Sequence, residues 1–259
     1  MITLASDFGS PYPAAMKGVI LSATDARLVD VSHDLPRQDV RAAAFWTRET
    51  LPYFPPAVHL VVVDPGVGTD RAAVVGRVGD HAFVGPDNGV LRPVARRIAA
   101  ETDADPEWFE YEYDDPASTT FHGRDVFAPA AAAVHDVGAD AVESLSAVVP
   151  LPDEEVCDLR FPTATVDGDA ARGEVLVVDD FGNAITNVPG EFLGGRTGET
   201  VSANGTDAPV ETAYAAVEPG ERLVTVGSHG YVECGVNRGR GDEAFGLAPG
   251  DDVRFRFQS

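Results

Sequence analysis

The chain has 259 residues, 19 of them Lys or Arg and 42 Asp or Glu, for a formal net charge of −23. Such a surface cannot gather a polyanion, which argues against nucleic acid as a partner, and no apolar run approaches membrane-spanning length. Cys157 and Cys234 are too few for a disulfide framework and have no CxxC metal spacing.

The first part alternates strand-like and helix-like patterns, which predicts a mainly parallel sheet with crossover helices. Ile2-Thr3-Leu4-Ala5 enters a strand at once, with no basic leader pattern, so a reduced cytoplasmic protein is expected. This strand runs into Ser6-Asp7-Phe8-Gly9. A helix is expected over 14–26, a strand over 27–31, and a second helix to about residue 51 with Asp39 as its N-cap. Val58-His59-Leu60-Val61-Val62-Val63 is the nearly unbroken apolar run of a strand buried on both faces. A hairpin through Gly79-Asp80 follows, then a break at 85–89 and a helix over 90–100. Residues 108–113 read as extended, and the loop 114–125 delivers a helix over 126–136.

The character changes where Pro150, Pro152 and Pro162 punctuate an acidic stretch. Beyond it, β-type runs at 174–178, 184–187, 223–226, 231–236 and 253–257 recur between Gly and Asn turns. That is the spacing of a small antiparallel barrel or sandwich. An α/β N-terminal domain over 1–155, a linker over 156–164 and a smaller C-terminal β-barrel domain over 165–259 are therefore expected.

Candidate chemistry collects where the strands end, the place where open α/β sheets bind ligands. The Val58 run leads into Asp64-Pro65-Gly66-Val67-Gly68-Thr69-Asp70-Arg71, a carboxylate, a Gly-rich turn and a guanidinium in quick succession. If the turn folds back, as Gly66 and Gly68 permit, Asp64 and Arg71 face one ligand. His122, in Thr119-Thr120-Phe121-His122-Gly123-Arg124-Asp125, is the third candidate. Carboxylate, guanidinium and imidazole together can hold a water and give it hydroxide character. Asp7, read with both carboxylate oxygens free, suits a ribose diol. Asp179-Asp180-Phe181-Gly182-Asn183 admits two readings. It is a Gly-Asn turn around a core Phe, or a purine pocket in which Phe181 stacks and Asn183 donates and accepts. No Gly-x-Gly-x-x-Gly follows a strand and no Walker sequence occurs.

Taken together, these segments resemble the S-adenosylmethionine hydroxide adenosyltransferase family, relatives of fluorinase and chlorinase. The resemblance runs through Asp7-Phe8-Gly9, Ala15-Met16-Lys17-Gly18, Gln38-Asp39-Val40-Arg41, Val62-Val63-Asp64-Pro65-Gly66 and Gly85-Pro86-Asp87-Asn88-Gly89. It continues through Phe121-His122-Gly123-Arg124-Asp125, Asp179 to Asn187, Gly230-Tyr231-Val232-Glu233 and Val236-Asn237-Arg238-Gly239. It implies an α/β N-terminal domain, a β-barrel C-terminal domain and a homotrimer with sites between subunits. The reaction it implies splits S-adenosylmethionine with water into adenosine and methionine, with no cofactor and no metal. Asp64, Arg71 and His122 match the family's catalytic triad, and Asp7 its ribose-diol acid. Asp179 and Ser228 match positions near the methionine end. Phe181, Asn183 and Tyr214 match the adenine pocket, with Asn237 and Arg238 lending backbone contacts.

Halogenating relatives carry an extra loop near the hairpin, and a Tyr with small hydroxyl residues around the halide. This chain runs directly from Arg71 to Pro86 and has Asp64 with His122-Gly123. A carboxylate beside the nucleophile repels halide, so water is the expected nucleophile. A halide-using synthase, a non-catalytic nucleoside binder and a metal-dependent hydrolase built on Asp7, Asp64, Asp87 and His122 are the alternatives. His229 follows Ser228 where a halogenase-type pocket has Arg. Lys17 is the sole lysine, and Arg with scattered Asp points to a salt-rich, haloarchaeal cytoplasm.

Overall fold

The apolar runs of the sequence become buried strands in the computed structural model. It describes residues 1–258 apart from Asp115 and divides into two units, Met1–Arg160 and Phe161–Ser259. The first unit begins with β1 (Ile2–Ser6), α1 (Tyr12–Ala23), β2 (Leu28–Ser32), α2 (Val40–Thr50) and β3 (Val58–Val62). It continues with β4 (Ala73–Val78), β5 (His81–Pro86), α3 (Arg92–Thr102), β6 (Glu107–Tyr111), α4 (Ala128–Val137) and β7 (Val148–Leu151). The seven strands form one sheet in the order β2-β1-β3-β5-β4-β6-β7. β1 runs parallel to β2 and β3, and β3 to β5, whereas β4 and β7 oppose their neighbours. The α/β class with a mostly parallel sheet is thus as the sequence led one to expect.

Ile2 and Leu4 of β1 and Val58, Leu60 and Val62 of β3 alternate onto one sheet face. There they pack with Met16 and Ile20 of α1 and with the alanines of α4. Burying each large aliphatic side chain stabilises the fold by about 1.5–3 kcal/mol. Parallel register aligns β1 with β3 from Ile2↔Val58 to Ser6↔Val62, so Asp7 and Asp64 leave the same edge of the sheet.

Several boundaries differ from the sequence reading. α1 stops at Ala23, not residue 26, because Thr24 turns extended and its hydroxyl donates to Asp136 Oδ1 at 2.6 Å. Gly85 and Pro86 lie inside β5 and do not break the pattern. A Cβ at Gly85 would stand 2.4 Å from the Val61 carbonyl oxygen, so this glycine serves close approach to β3. α3 begins at Arg92, and a single π-helical turn, Gly123–Phe127, precedes α4. β7 lies in the proline-punctuated stretch and pairs with β6 at the sheet edge, where a proline is tolerated.

The second unit contains β8 (Thr165–Asp167), β9 (Ala170–Val178), β10 (Ala184–Pro189), β11 (Thr200–Ala203) and β12 (Thr206–Pro209). It ends with β13 (Arg222–Val226), β14 (Tyr231–Val236), the short α5 (Gly241–Phe245) and β15 (Asp252–Phe257). These strands make an antiparallel sheet in the order β12-β11-β15-β9-β10-β14-β13, with β8 on β9. Val210, just past β12, bridges Val224 of β13, and Glu211 N donates to Val224 O at 3.0 Å. The two ends of the sheet therefore meet, and the expected barrel is nearly closed. Val253, Phe255 and Phe257 of β15 fill its interior with Val232 and Cys234 of β14. β8, β11 and β12 have no counterpart in the sequence reading, being short and polar.

Candidate active site

In the first unit the turn after β3 does fold back. Val67 N donates to Asp64 O at 3.3 Å and Thr69 N to Gly66 O at 3.2 Å. Arg71 is thereby returned to Asp64, and its Nη2 donates to Asp64 Oδ2 at 2.6 Å. Gly66 N donates to the other carboxylate oxygen at 3.2 Å. The guanidinium lies 5.2 Å from the centre of the Phe127 ring, and Nη1 donates to the Ala72 carbonyl. Arg71 Nε is buried and has no hydrogen-bond partner among the described residues. Gly68 adopts φ +80°, and a Cβ there would stand 2.8 Å from Thr119 O. Only glycine lets the turn settle against the loop that carries His122.

His122 opens the π-helical turn, is 4% exposed, and holds its Nδ1 buried without a hydrogen-bond partner among the described residues. Burial, followed by the Arg71 charge, holds its pKa below the ordinary imidazole value, against the opposing pull of Asp64 and Asp125. The structure therefore gathers Asp64, Arg71 and His122 into one electrostatic group. Two of its members keep a buried nitrogen that no atom of the described residues satisfies, and such atoms call for a polar guest.

Asp7 follows β1 directly and is 8% exposed. Its two oxygens are not both free, contrary to the sequence reading: Oδ2 accepts from Gln38 N at 2.7 Å. Gln38 reaches it from a left-handed conformation, φ +59°. Each carboxylate oxygen has two lone pairs, so Asp7 keeps acceptor capacity. Phe8, its neighbour, meets Phe121 edge-on at 5.7 Å, and a Cβ at Gly123 would stand 2.8 Å from the Phe8 ring. The Asp7 loop and the His122 loop are thus packed together. Asp87, half-buried beyond β5, lies nearby. Its N–H donates at 3.0 Å to the same Ala72 carbonyl that Arg71 uses, and burial raises its pKa.

In the second unit Phe181, Asn183, Tyr214 and Arg238 line one cleft of about 440 Å³ with Val236 and Gly239. Phe181 is no core residue, since 82% of it is exposed. Asp179 accepts from Asn183 N at 2.8 Å and from Asn183 Nδ2 at 2.9 Å, so these two residues form a locked turn. One amide hydrogen and the oxygen of Asn183 remain for a ligand. Ser228 is exposed in the β13–β14 turn. Asn237 has both backbone groups engaged, donating to Glu221 O at 3.0 Å and accepting from Gly220 N at 2.7 Å. Its side chain donates to Val217 O at 2.7 Å, which leaves little for a ligand. The sequence reading assigned no role to Glu233, whose carboxylate accepts the Tyr214 hydroxyl. The available signal was an acid set inside an apolar strand run.

Residues 2–144 match the family model for the SAM hydroxide adenosyltransferase N-terminal domain, and residues 173–254 that for its C-terminal domain. The chain is 42% identical over 265 residues to the (R)-S-adenosyl-L-methionine hydrolase of Thermus thermophilus, covering 96% of each. It is 38% identical to the Salinispora tropica protein of that name, covering 98% of this chain and 96% of the relative. A solved structure described as an uncharacterized conserved protein from Thermotoga maritima is similar with a TM-score of 0.78. Its identity is 34%, and 99% of this chain and 100% of that one are covered.

Proposed function

The chain belongs to the SAM hydroxide adenosyltransferase family, and on that premise we propose how its own residues carry out the reaction. The protein is an enzyme that hydrolyses S-adenosylmethionine, and the products proposed are adenosine and L-methionine. The form of the substrate proposed here is the (R) sulfonium, as in the relatives' names.

Water attacks the ribose 5′ carbon in line with the carbon–sulfur bond. The new bond joins oxygen to carbon, the carbon–sulfur electron pair leaves with sulfur, and one water proton is released. Sulfur departs as a neutral thioether, so the leaving group needs no acid. The barrier lies in placing a desolvated water and stabilising negative charge on its oxygen, which position and fixed charge accomplish. Asp64 accepts one hydrogen of the water, and Arg71, held by Asp64, faces the developing charge. His122, kept neutral at pH 7 by its lowered pKa, accepts a proton. The observation that carries this reading is the 2.6 Å Arg71–Asp64 pair flanked by Arg71 Nε and His122 Nδ1, both buried and without a hydrogen-bond partner among the described residues.

Asp7 holds the ribose hydroxyls in this proposal, and Phe181, Asn183 and Tyr214 hold adenine, with Arg238 at the cleft edge. Asp179 and Ser228 stand toward the methionine end, and Asn237 supports the strand end. S-adenosylmethionine is substrate, and no cofactor is invoked. A homotrimer with sites at subunit interfaces is proposed, and the exposed ring of Phe181 offers such a surface. Among the described residues no helix is long and apolar enough to cross a membrane, and a cytoplasmic location is proposed.

Chromatography of S-adenosylmethionine after incubation with the protein tests the activity. Adenosine and methionine should appear together in equal amounts. Methylthioadenosine or S-adenosylhomocysteine as the only product above the no-enzyme control would overturn it.

A further inference from the structure

β14 presents two different faces. Val232 and Cys234 enter the barrel core, so Tyr231, Glu233 and Gly235 share the opposite face. Tyr214 lies across two of these. Its hydroxyl donates to Glu233 Oε1, and its ring so closely covers Gly235 that a Cβ there would stand 2.6 Å from Cε1. The same Cβ would stand 3.1 Å from Asn183 Oδ1. Gly227 yields in the same way to Glu233, since a Cβ there would meet Oε2 at 2.1 Å. Two glycines thus clear the space for one phenol–carboxylate contact.

Glu233 is only 7% exposed, and burial pushes its carboxyl pKa up, against the hydrogen bond from Tyr214. Placing an acid there is costly. Strand packing alone would be better served by an apolar residue, so the carboxylate serves something other than the core.

We propose that Glu233 is the positioning residue of the nucleobase slot: by holding the Tyr214 hydroxyl, it fixes the phenol ring over Gly235 and beside Asn183 before the base arrives. The inference rests on reading the Phe181–Asn183–Tyr214 cleft as the adenine site. Tyr214 belongs to a short 3-10 turn, Tyr214–Ala216, in the connection between β12 and β13. Without the carboxylate, its ring would be ordered only at the moment of binding. Ordering one such side chain weakens binding by about threefold to tenfold.

The test combines adenosine calorimetry with steady-state kinetics on Glu233→Ala, Glu233→Gln, Tyr214→Phe, Tyr214→Ala and the Glu233→Ala/Tyr214→Phe double variant. Glu233→Ala and Tyr214→Phe should each weaken adenosine binding by about threefold to tenfold and raise KM for S-adenosylmethionine alike, with kcat moving less. The double variant should be no weaker than either single one, and Glu233→Gln, which keeps an acceptor oxygen, should recover most of the affinity. Losses that multiply in the double variant would overturn the proposal. So would wild-type affinity in Glu233→Ala beside a loss in Tyr214→Ala. If Glu233→Ala does not fold, Tyr214→Phe with undiminished affinity overturns it in its place. Full adenosine binding by Tyr214→Ala would instead remove the cleft itself from the adenine site.

Discussion

Arg71 donates to Asp64 at 2.6 Å across a glycine turn, yet its Nε is buried with no hydrogen-bond partner among the described residues. An unsatisfied buried donor costs about 1–3 kcal/mol, a cost that a polar guest at Nε would relieve. The arrangement makes sense when a water or substrate atom completes it.

Substitution of the trio should therefore affect turnover far more than affinity. Asp64→Asn, Arg71→Ala and His122→Ala are each expected to lower kcat about 10²–10³-fold, as for removing one preorganised donor from a developing oxyanion. KM should change little, because these contacts strengthen only as hydroxide character develops. Pairs of substitutions should be non-additive, since loss of one member misplaces the water for the others. Steady-state kinetics of the single and double variants checks this. Equal losses in kcat and in adenosine affinity would reassign the trio to ground-state binding.

Asp7→Ala should act on the nucleoside. The ribose hydroxyls lose a shared acceptor while the water site is spared, a loss of about 1–3 kcal/mol in adenosine binding. Calorimetry reads it directly, and unchanged affinity would place Asp7 outside the pocket.

Acid should destabilise the fold through His59. This residue is fully buried between Thr3 and His81, with Thr3 Oγ1 at 2.8 Å and His81 Nδ1 at 2.9 Å. Burial, aided by the His81 charge, lowers its pKa from the ordinary imidazole value of 6.5 to about 3. The unfolded chain therefore binds a proton that the folded chain refuses between those values. Stability is complete above about pH 6.5 and declines as pH falls toward 3. The contribution between pH 7 and pH 5 is about 2 kcal/mol. Denaturant unfolding at both pH values should show a drop that is smaller by that amount in His59→Asn. Identical drops in the two proteins would refute the assignment.

Low salt should also destabilise the protein. With 42 acids against 19 bases, self-repulsion grows as the Debye length lengthens. The melting temperature should rise with potassium chloride from dilute to molar concentration, and a flat profile would count against a salt-adapted surface.

Much of this was legible in the chain because strand burial and strand ends speak locally. The Val58 run announced β3, and the Asp64-to-Arg71 segment announced a ligand turn, since both depend on neighbours in sequence. What stayed hidden depends on partners distant in sequence. Gly85 reads as a breaker until the Val61 carbonyl is seen 2.4 Å from its absent Cβ. Pro150 reads as a boundary until β7 is found at the sheet edge. Asp7 looked free because Gln38 N, 31 residues away, is brought to it only by the fold. Glu233 was passed over for the same reason, its partner Tyr214 lying in a loop with no period of its own.

The central claim, attack of water at the ribose 5′ carbon, is tested most directly by turnover in oxygen-18 water followed by mass spectrometry of both products. The account expects one labelled oxygen in adenosine, at the 5′ hydroxyl, and none in methionine. Adenosine formed without label would contradict it.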